Sequence, residues 1–556
     1  MKNIIKKTGS TKVVALGGLE EFGNNCILFE YADNIIIIDY GLKFNREPTF
    51  GMNYLIPDMR YLKNNISKVK ALICTHGHLD HIGGVHFLIK ELSIPIYTSN
   101  FTAMLIHQAF KEIRKTDYEL NVIEVNKKIE IGPFMIEPVY VDHSIPDACA
   151  LVIETPTGIF VHSGDFRHDL EPFQRKQNKF EAFEKYAGKK CVALFSDSTN
   201  AVKKGHSITE MTVYRNLEKL FKSYSTRLVF STFSTQIERI KKILDLALKY
   251  DRVVFFLGKS MLTNLGIAAK GKLLDKYENT IKPLKSYNKY PPKESVLIVT
   301  GSQGEEKSAL IKLATKQHRQ LRLSKEDVIV FSSSVIPGNE LSVSNLINKL
   351  LKNGNTVITN DDLPIHTSGH GYAEELAVFI KKIKPKFFFP IHGNYLNLLK
   401  HKELALKQGL AKEDVFIIEN GQKLELFTTH VKILEKIRTR PTYIENGQIS
   451  DCDELVLQQR KKISESGVLI LFIHCNHNRI ENIFSEAIGV TSVHNERKLL
   501  TFLTEVLRDR FAGKSFDDNL KNKRRGEKKI TSEVKNILYE HLKITPVVKV
   551  ALYMKS

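Results

Sequence analysis

The 556 residues hold only six cysteines (Cys26, Cys74, Cys149, Cys191, Cys452 and Cys475), scattered and without a Cys-x-x-Cys pair. That excludes a disulfide framework and fits reduced thiols in a cytoplasmic protein. No apolar run is long enough to cross a bilayer, and no secretory core follows the short basic start Met1–Lys12, so we expect no membrane partner. No Gly-x-x-x-x-Gly-Lys-Ser/Thr occurs, which excludes a P-loop. Internal repeats and low-complexity tracts are also missing. Acidic residues are in the minority: 62 against 82 Lys and Arg, a net charge of +20. That excess suits a polyanionic partner such as nucleic acid, although a Lys-, Ile- and Asn-rich composition accounts for it equally well. Hydrophobic residues make up 42%, so the chain folds, and its length calls for several domains.

Against these absences stands one dense cluster, Thr75-His76-Gly77-His78-Leu79-Asp80-His81. Val69, Ala71, Leu72 and Ile73 lead into it and Gly83-Gly84 follow. A strand ending in a tight loop turns His76, His78, Asp80 and His81 to one side. Imidazole and carboxylate suit zinc, and four close ligands can serve two adjacent ions.

The first part of the chain alternates β-like runs with glycine turns. Val13–Leu16, Cys26–Phe29 and Ile35–Ile38 read as buried strands, and so do Phe134–Val141, Ala150–Thr155, Ile159–His162 and Cys191–Phe195. From about Met211 strict strand–turn–helix alternation begins. Leu228–Phe230 precedes a helix with Ile237, Ile240, Leu244 and Leu248 on one stripe. Val253–Leu257, Val296–Val299 and Val328–Phe331 are each followed by helical pattern, the last with Leu341 and Leu346, and Thr356–Ile358 closes the series. Such units imply a parallel sheet covered on both faces. The turns Ser231–Ser234, Gly301–Gly304 and Ser332–Ser334 fall at strand ends. Capping chemistry explains any one of them; three on one sheet edge suit a phosphate cradle. Thr439–Asp453 is polar and turn-rich and reads as a linker to a separate final domain.

Further metal-capable side chains follow other strands: His143 after Val141, Asp165 after Val161-His162-Ser163-Gly164, and His392 after Lys386–Phe389. Each alone reads as a core or surface residue; beside the first cluster they complete a two-metal set. This series resembles the metallo-β-lactamase superfamily. The insertion before His392 resembles the β-CASP subgroup of nucleases, with Ser196-Asp197-Ser198-Thr199, Ser368-Gly369-His370-Gly371 and Pro390-Ile391-His392-Gly393 similar to its three motifs. Gly301–Glu305, Val335-Ile336-Pro337-Gly338-Asn339-Glu340 and the opening Ala15–Gly18 resemble the ribonuclease J family, and the likeness runs from about Lys12 to Lys555.

The resemblance implies an α/β architecture: a metallo-β-lactamase αββα sandwich in two parts (11–208 and 369–438), an inserted parallel-sheet β-CASP domain (209–368), a linker (439–454) and a small α/β C-terminal domain (455–556). It implies two zinc ions per subunit, with manganese or magnesium as alternatives. His76, His78 and His143 would hold one, Asp80, His81 and His392 the other, and Asp165 would bridge them. A hydroxide between the ions would attack the phosphodiester. His370 would protonate the leaving ribose oxygen, with Asp197 ordering it or a metal-bound histidine nearby, so Asp80, Asp197 and His370 are the catalytic candidates. His366, Thr367, Ser368, Gly369 and His370 would contact the scissile phosphate. Ser231, Ser234, Gly301 and Ser302 would grip the RNA 5′ end.

The function so implied is a zinc-dependent 5′-to-3′ exoribonuclease of mRNA and rRNA decay and maturation, with endonuclease activity as a second mode. It would act on single-stranded RNA as a homodimer, tetramer or heteromer with a paralogue. The alternatives are a weakly active scaffold subunit beside an active paralogue, or a small-molecule metallo-hydrolase. Three departures bear on this. Gly17-Gly18-Leu19-Glu20-Glu21-Phe22-Gly23 stands for the family's Gly-Gly-x-Gly-Glu-Ile-Gly, and Phe233-Ser234-Thr235-Gln236-Ile237-Glu238-Arg239 is a shifted form of its 5′-end motif. Asn53 replaces the aspartate of a peripheral calcium site. His474-Cys475-Asn476-His477 reads as a strand-end turn and Lys521–Lys529 as a solvated basic loop that touches phosphate. His86, His107, His168 and His206 read as packing or surface residues.

Overall fold

The computed structural model describes residues 9–44, 50–172, 180–336, 338–476, 479–511 and 522–554. Residues 1–8, Pro337, His477 and Lys521 of the segments singled out above lie outside these residues.

Two sheets face each other in the first unit. One has eight strands, in the order Val431–Ile433, Lys423–Leu426, Thr11–Gly17, Cys26–Tyr31, Asn34–Ile38, Val69–Cys74, Ile96–Thr98 and Leu120–Val122. The other has six: Phe387–Ile391, Cys191–Asp197, Gly158–His162, Cys149–Thr155, Phe134–Tyr140 and Ile129–Ile131. Runs such as Ile35–Ile38 carry no polar residue because both their faces are covered. Between the sheets Phe29, Ile36, Phe134, Phe160, Phe195 and Phe389 form one core. The Phe29 ring meets Phe160 and Phe195 edge-on, at 5.9 and 5.5 Å between centroids. On the outer face of the six-stranded sheet, Val139, Val152 and Val161 join a core with Leu376, Phe379 and Ile380 of the helix Ala373–Ile383. Sheets inside and helices outside make an αββα sandwich.

Cys191–Asp197 and Phe387–Ile391 pair in parallel although a whole domain separates them in the chain. That domain is a five-stranded sheet, Val253–Leu257, Ser295–Val299, Leu228–Ser231, Val328–Phe331 and Thr356–Ile358, with every pair parallel. Alternate residues enter separate cores: Phe230, Val254, Ile298 and Val330 one, Val229, Phe255, Leu297 and Ile329 the other. One apolar stripe deviates from expectation, and a second helix leaves a leucine in water. Leu248 is 44% exposed, and Ala247 takes its place beside Ile237, Ile240 and Leu244. Leu341 is 74% exposed, because the buried face of Glu340–Lys352 is Val343, Leu346 and Leu350. Leu248 sits at the edge of its helix's buried stripe, and Leu341 lies on the side opposite Val343, Leu346 and Leu350.

A second compact unit is drawn from 443–554 together with 50–53. The segment read as a linker contains a two-residue hairpin: Thr442–Glu445 pairs with Gln448–Ile449 across Asn446-Gly447, both at positive φ. Asn-Gly is the residue pair that such a turn favours. Three strands follow, in the order Arg479–Ile488, Val468–Asn476, Val547–Met554, with the helices Val493–Arg510 and Lys523–Leu542 packed on one face. The basic run is therefore no loop in its described part: Lys523–Lys529 is the start of a helix, capped by the Asn522 side chain, which accepts from the Arg525 N–H at 3.1 Å. Among the described residues no helix is long and apolar enough to cross a membrane.

Candidate active site

The strand Val69–Cys74 delivers Thr75 and His76 into the interior, and a single helical turn, Leu79–Ile82, brings Asp80 and His81 back over them. Asp39, at the end of the neighbouring strand, ties the loop down. It accepts from the Thr75 N–H (2.7 Å), the Thr75 hydroxyl (2.8 Å) and His81 Nδ1 (2.7 Å). The loop also requires Gly41, where a Cβ would lie 1.6 Å from the Asp80 carbonyl oxygen. His143, Asp165 and His392 arrive from the ends of other strands, as expected.

The inward atoms converge. His78 Nδ1 lies 3.1 Å from His76 Nε2 and 3.0 Å from His143 Nε2. Asp165 Oδ2 is 3.2 Å from His81 Nε2, and Asp80 Oδ2 is 3.2 Å from His392 Nε2. The outward nitrogens are committed elsewhere. His143 Nδ1 donates to the Gly369 carbonyl at 2.7 Å, His76 Nδ1 faces the Thr75 hydroxyl at 3.0 Å, and His392 Nδ1 faces the Thr199 hydroxyl at 2.8 Å. Both hydroxyls already donate to carboxylates, so they accept here; Nε2 of His76 and His143 is left with its lone pair inward, while Nε2 of His392 faces Asp80. Tetrahedral sites with bonds of about 2.0–2.2 Å set neighbouring donors about 3.3–3.5 Å apart. The donor set thus fits a divalent metal. His76, His78, His143 and Asp165 form one candidate group and Asp80, His81, Asp165 and His392 a second, with Asp165 common to both.

Charge supports this fit. Burial pulls the His78 pKa down to about 4 against the pull of Asp80 and Asp165, and burial likewise lowers His76 and His143. These imidazoles are neutral, the ligand form. Burial also disfavours charge on His392, but Asp165, Asp197 and Asp80 outweigh it and lift the pKa to about 10. His81 is raised for the same reason, by Asp165, Asp39 and Asp80. Asp80 and Asp165 are held below the usual carboxylate range despite burial, chiefly by His81 and His392. A pocket with this many carboxylates calls for cations, which protons or metals can supply.

Beside the cluster, Asp197 Oδ2 accepts from His370 Nδ1 at 2.7 Å, and Asp197 Oδ1 lies 3.3 Å from His392 Nδ1. Burial disfavours protonation of His370, yet Asp197 and Asp165 raise its pKa. The loop before it is held by Asn200, whose amide donates to the Ser368 hydroxyl (2.8 Å) and the His370 carbonyl (3.0 Å).

The other expected contacts divide. Ser368, Gly369 and His370 adjoin the cluster. Thr367 turns away, accepting from Arg167 Nη1 at 2.9 Å and donating to the Ile208 carbonyl at 2.8 Å. His366 is buried behind it with Nδ1 unpartnered, and burial and Arg239 pull its pKa down to about 3. On the inserted sheet, Ser231 and Ser302 are buried, and the Ser231 hydroxyl has no partner. Gly301 has φ +117° and packs against Ser308, and Ser234 accepts from the Asn264 amide at 2.9 Å.

Sequence reasoning missed Asp39, Thr199 and Asn200. It also missed a buried charge cluster next to His366. Glu210 pairs there with Lys242 (2.9 Å), Arg239 (3.3 Å) and Arg167 (3.6 Å), and Arg167 also pairs with Asp169. Asp39 did carry a signal, an acid ending an apolar strand. Arg239 and Lys242 carried none, since charge on an amphipathic helix usually faces water.

Models of three protein families match the chain: the metallo-β-lactamase superfamily over 19–179, the ribonuclease J β-CASP domain over 225–350, and the Zn-dependent metallo-hydrolase RNA specificity domain over 364–418. Ribonuclease J of Helicobacter pylori (strain ATCC 700392 / 26695) is 34% identical over 89% of this chain and 73% of its own length. Ribonuclease J of Mycoplasma genitalium is 37% identical over 84% and 83%, and that of Synechocystis 34% over 83% and 72%. A solved structure of an Enterococcus faecalis protein of unknown function is 18% identical, with TM-score 0.53 over 75% of this chain and all of that one, a likeness of fold alone. By family models, relatives and fold together, the chain belongs to the ribonuclease J family of the metallo-β-lactamase superfamily.

Proposed function

We propose that this chain is a metal-dependent ribonuclease that hydrolyses single-stranded RNA from the 5′ end, with internal cleavage as a second mode. The observation that carries this reading is the Asp197–His370 pair standing beside a seven-residue His/Asp cluster. His76, His78 and His143 would hold one ion, Asp80, His81 and His392 a second, and Asp165 both; zinc suits these donors, with manganese or magnesium as alternatives. When bound, the ions supply Lewis acidity and a nucleophile at neutral pH.

The protein's own groups do the rest. Asp39 and the Gly369 carbonyl fix the rings of His81 and His143. As the P–O3′ bond breaks, His370 gives its proton to the leaving ribose oxygen, and Asp197 keeps it charged and oriented until then. Ser368 and Gly369 place the scissile phosphate. The carboxyl edge of the inserted sheet, with Ser231, Ser234, Gly301 and Ser302, receives the 5′ end, and His366 and Thr367 shape the loop between. The working unit is an oligomer, either homomeric or shared with a paralogue, in the cytoplasm; its mass in solution decides between the two compositions.

The test is purified protein with manganese or zinc on 5′-monophosphorylated and 5′-triphosphorylated single-stranded RNA. Mononucleotide release from the first supports exonuclease action, and internal cuts in both support endonuclease action. Silence on RNA, with His78→Ala indistinguishable from the parent, sinks the reading.

A further inference from the structure

The three-stranded sheet of the second unit has two unlike faces. Leu471, Ile473 and Leu552 point into a core with Leu503, Leu507, Val534 and Leu538. The opposite face is bare, yet aromatic. Phe472 is 42% exposed, Phe484 60% and Tyr553 49%, and His474 is exposed between them.

The strand register explains the grouping. Phe472 stands opposite Phe484 on one side, and His474 opposite Tyr553 on the other. The rings form a continuous patch, with His474 stacked on Tyr553 at 5.1 Å, 5.7 Å from Phe484, and Phe472 6.5 Å from Tyr553. Soluble surfaces rarely leave adjoining rings uncovered without a use. One cation borders the patch: Lys523 Nζ lies 5.5 Å from the Tyr553 ring centroid. Lys523 opens the helix packed on the other face, on which Arg524, Arg525 and Lys528 are exposed. Farther along the face, Lys549 stands in the row of Ile470, with Glu486 across from it.

From this arrangement we infer that the sheet face Phe472–His474–Phe484–Tyr553 is a stacking platform for bases of single-stranded RNA, separate from the metal cluster. Flat apolar rings on adjacent strands accept bases of any sequence, and Lys523 beside Tyr553 meets a phosphate. A second copy of this chain would cover the rings too, but a protein of net charge +20 is a poorer match for a lysine-edged face than a polyanion is. The inference rests on RNA being the substrate.

The chain contains no tryptophan, so Phe472→Trp creates a single emitter at an exposed position of the full-length protein. Oligouridylate added in the presence of EDTA, which prevents cleavage, should quench it saturably, and salt should weaken the binding. In that background Tyr553→Ala should weaken binding about tenfold, and Tyr553→Phe should leave it unchanged. No quenching, equal affinity in Tyr553→Ala, or an emission change that follows protein concentration without RNA overturns the platform; the last assigns the face to self-association. Cleavage by the parent protein with metal is assayed in parallel. If the parent cuts RNA and the emitter is silent, only the platform fails; if the parent does not cut, the ribonuclease reading fails by itself.

Discussion

Asp197 holds two histidines with one carboxylate: Oδ2 takes the Nδ1 proton of His370 at 2.7 Å and Oδ1 lies 3.3 Å from Nδ1 of His392. On the proposed reading the first contact serves proton delivery and the second metal binding, so they separate experimentally. His370→Ala should lower kcat by about 10²–10⁴-fold with metal content unchanged. Because Asp197 raises the His370 pKa, the acid form persists to higher pH and activity falls as pH rises through that pKa. Asp197→Asn removes the raising charge, so the alkaline limb of the rate profile should move to lower pH. An unmoved limb rejects His370 as the donor.

Metal binding should release protons. His81 and His392 are raised by the carboxylates around them, so without metal they carry protons at neutral pH that an ion must displace. Affinity for zinc should therefore rise with pH, and titration calorimetry in buffers of different ionisation enthalpy should show net proton release. Chelation should lower Tm, since an ion at 1,000 times its Kd stabilises by about 4 kcal/mol.

Asp39 touches no ion in the proposed arrangement, yet it orients His81 and anchors Thr75. Asp39→Ala should weaken metal binding by about 10–100-fold. Competition against a chromogenic chelator measures this, and equal affinity would refute the anchoring role.

Glu210 faces three cations, each with its side chain no more than 3% exposed. Burial raises its pKa, but Lys242, Arg239 and Arg167 hold it well below the carboxylate range. A depressed folded pKa contributes stability that is present above the unfolded value near ~4.3 and lost as pH falls through the folded one. Glu210→Gln should cost about 3 kcal/mol at neutral pH by stranding the cations, and the deficit should shrink on acidification. Urea melts at pH 7 and pH 4 measure both.

Much of this was legible in the residues. Four metal-capable side chains within six positions, and three more at strand ends, converge because strand geometry fixes side-chain direction. The five parallel strands were visible because both faces need apolar residues, as in Val253–Leu257. What escaped was determined by packing at a distance. Leu248 reached solvent because it lies at the edge of its helix's buried stripe, below what apolar spacing resolves, and Leu341 because it lies opposite Val343, Leu346 and Leu350. Arg239 and Lys242 are buried only because Glu210 arrives from another helix. Asn446-Gly447 was legible as a turn and overlooked in a polar stretch.

The sandwich closes late. His392 directly follows a strand that joins its neighbour only after the whole insertion has been made, and Lys423–Leu426 then pairs beside Thr11–Gly17. On the proposed reading, a ribosome making this protein therefore carries, from Asp165 until His370 has been made, a nascent chain with all but one of the candidate ligands and without its proton donor. On the proposed reading, the message under translation meets a finished nuclease only after nearly all of the catalytic region has been read.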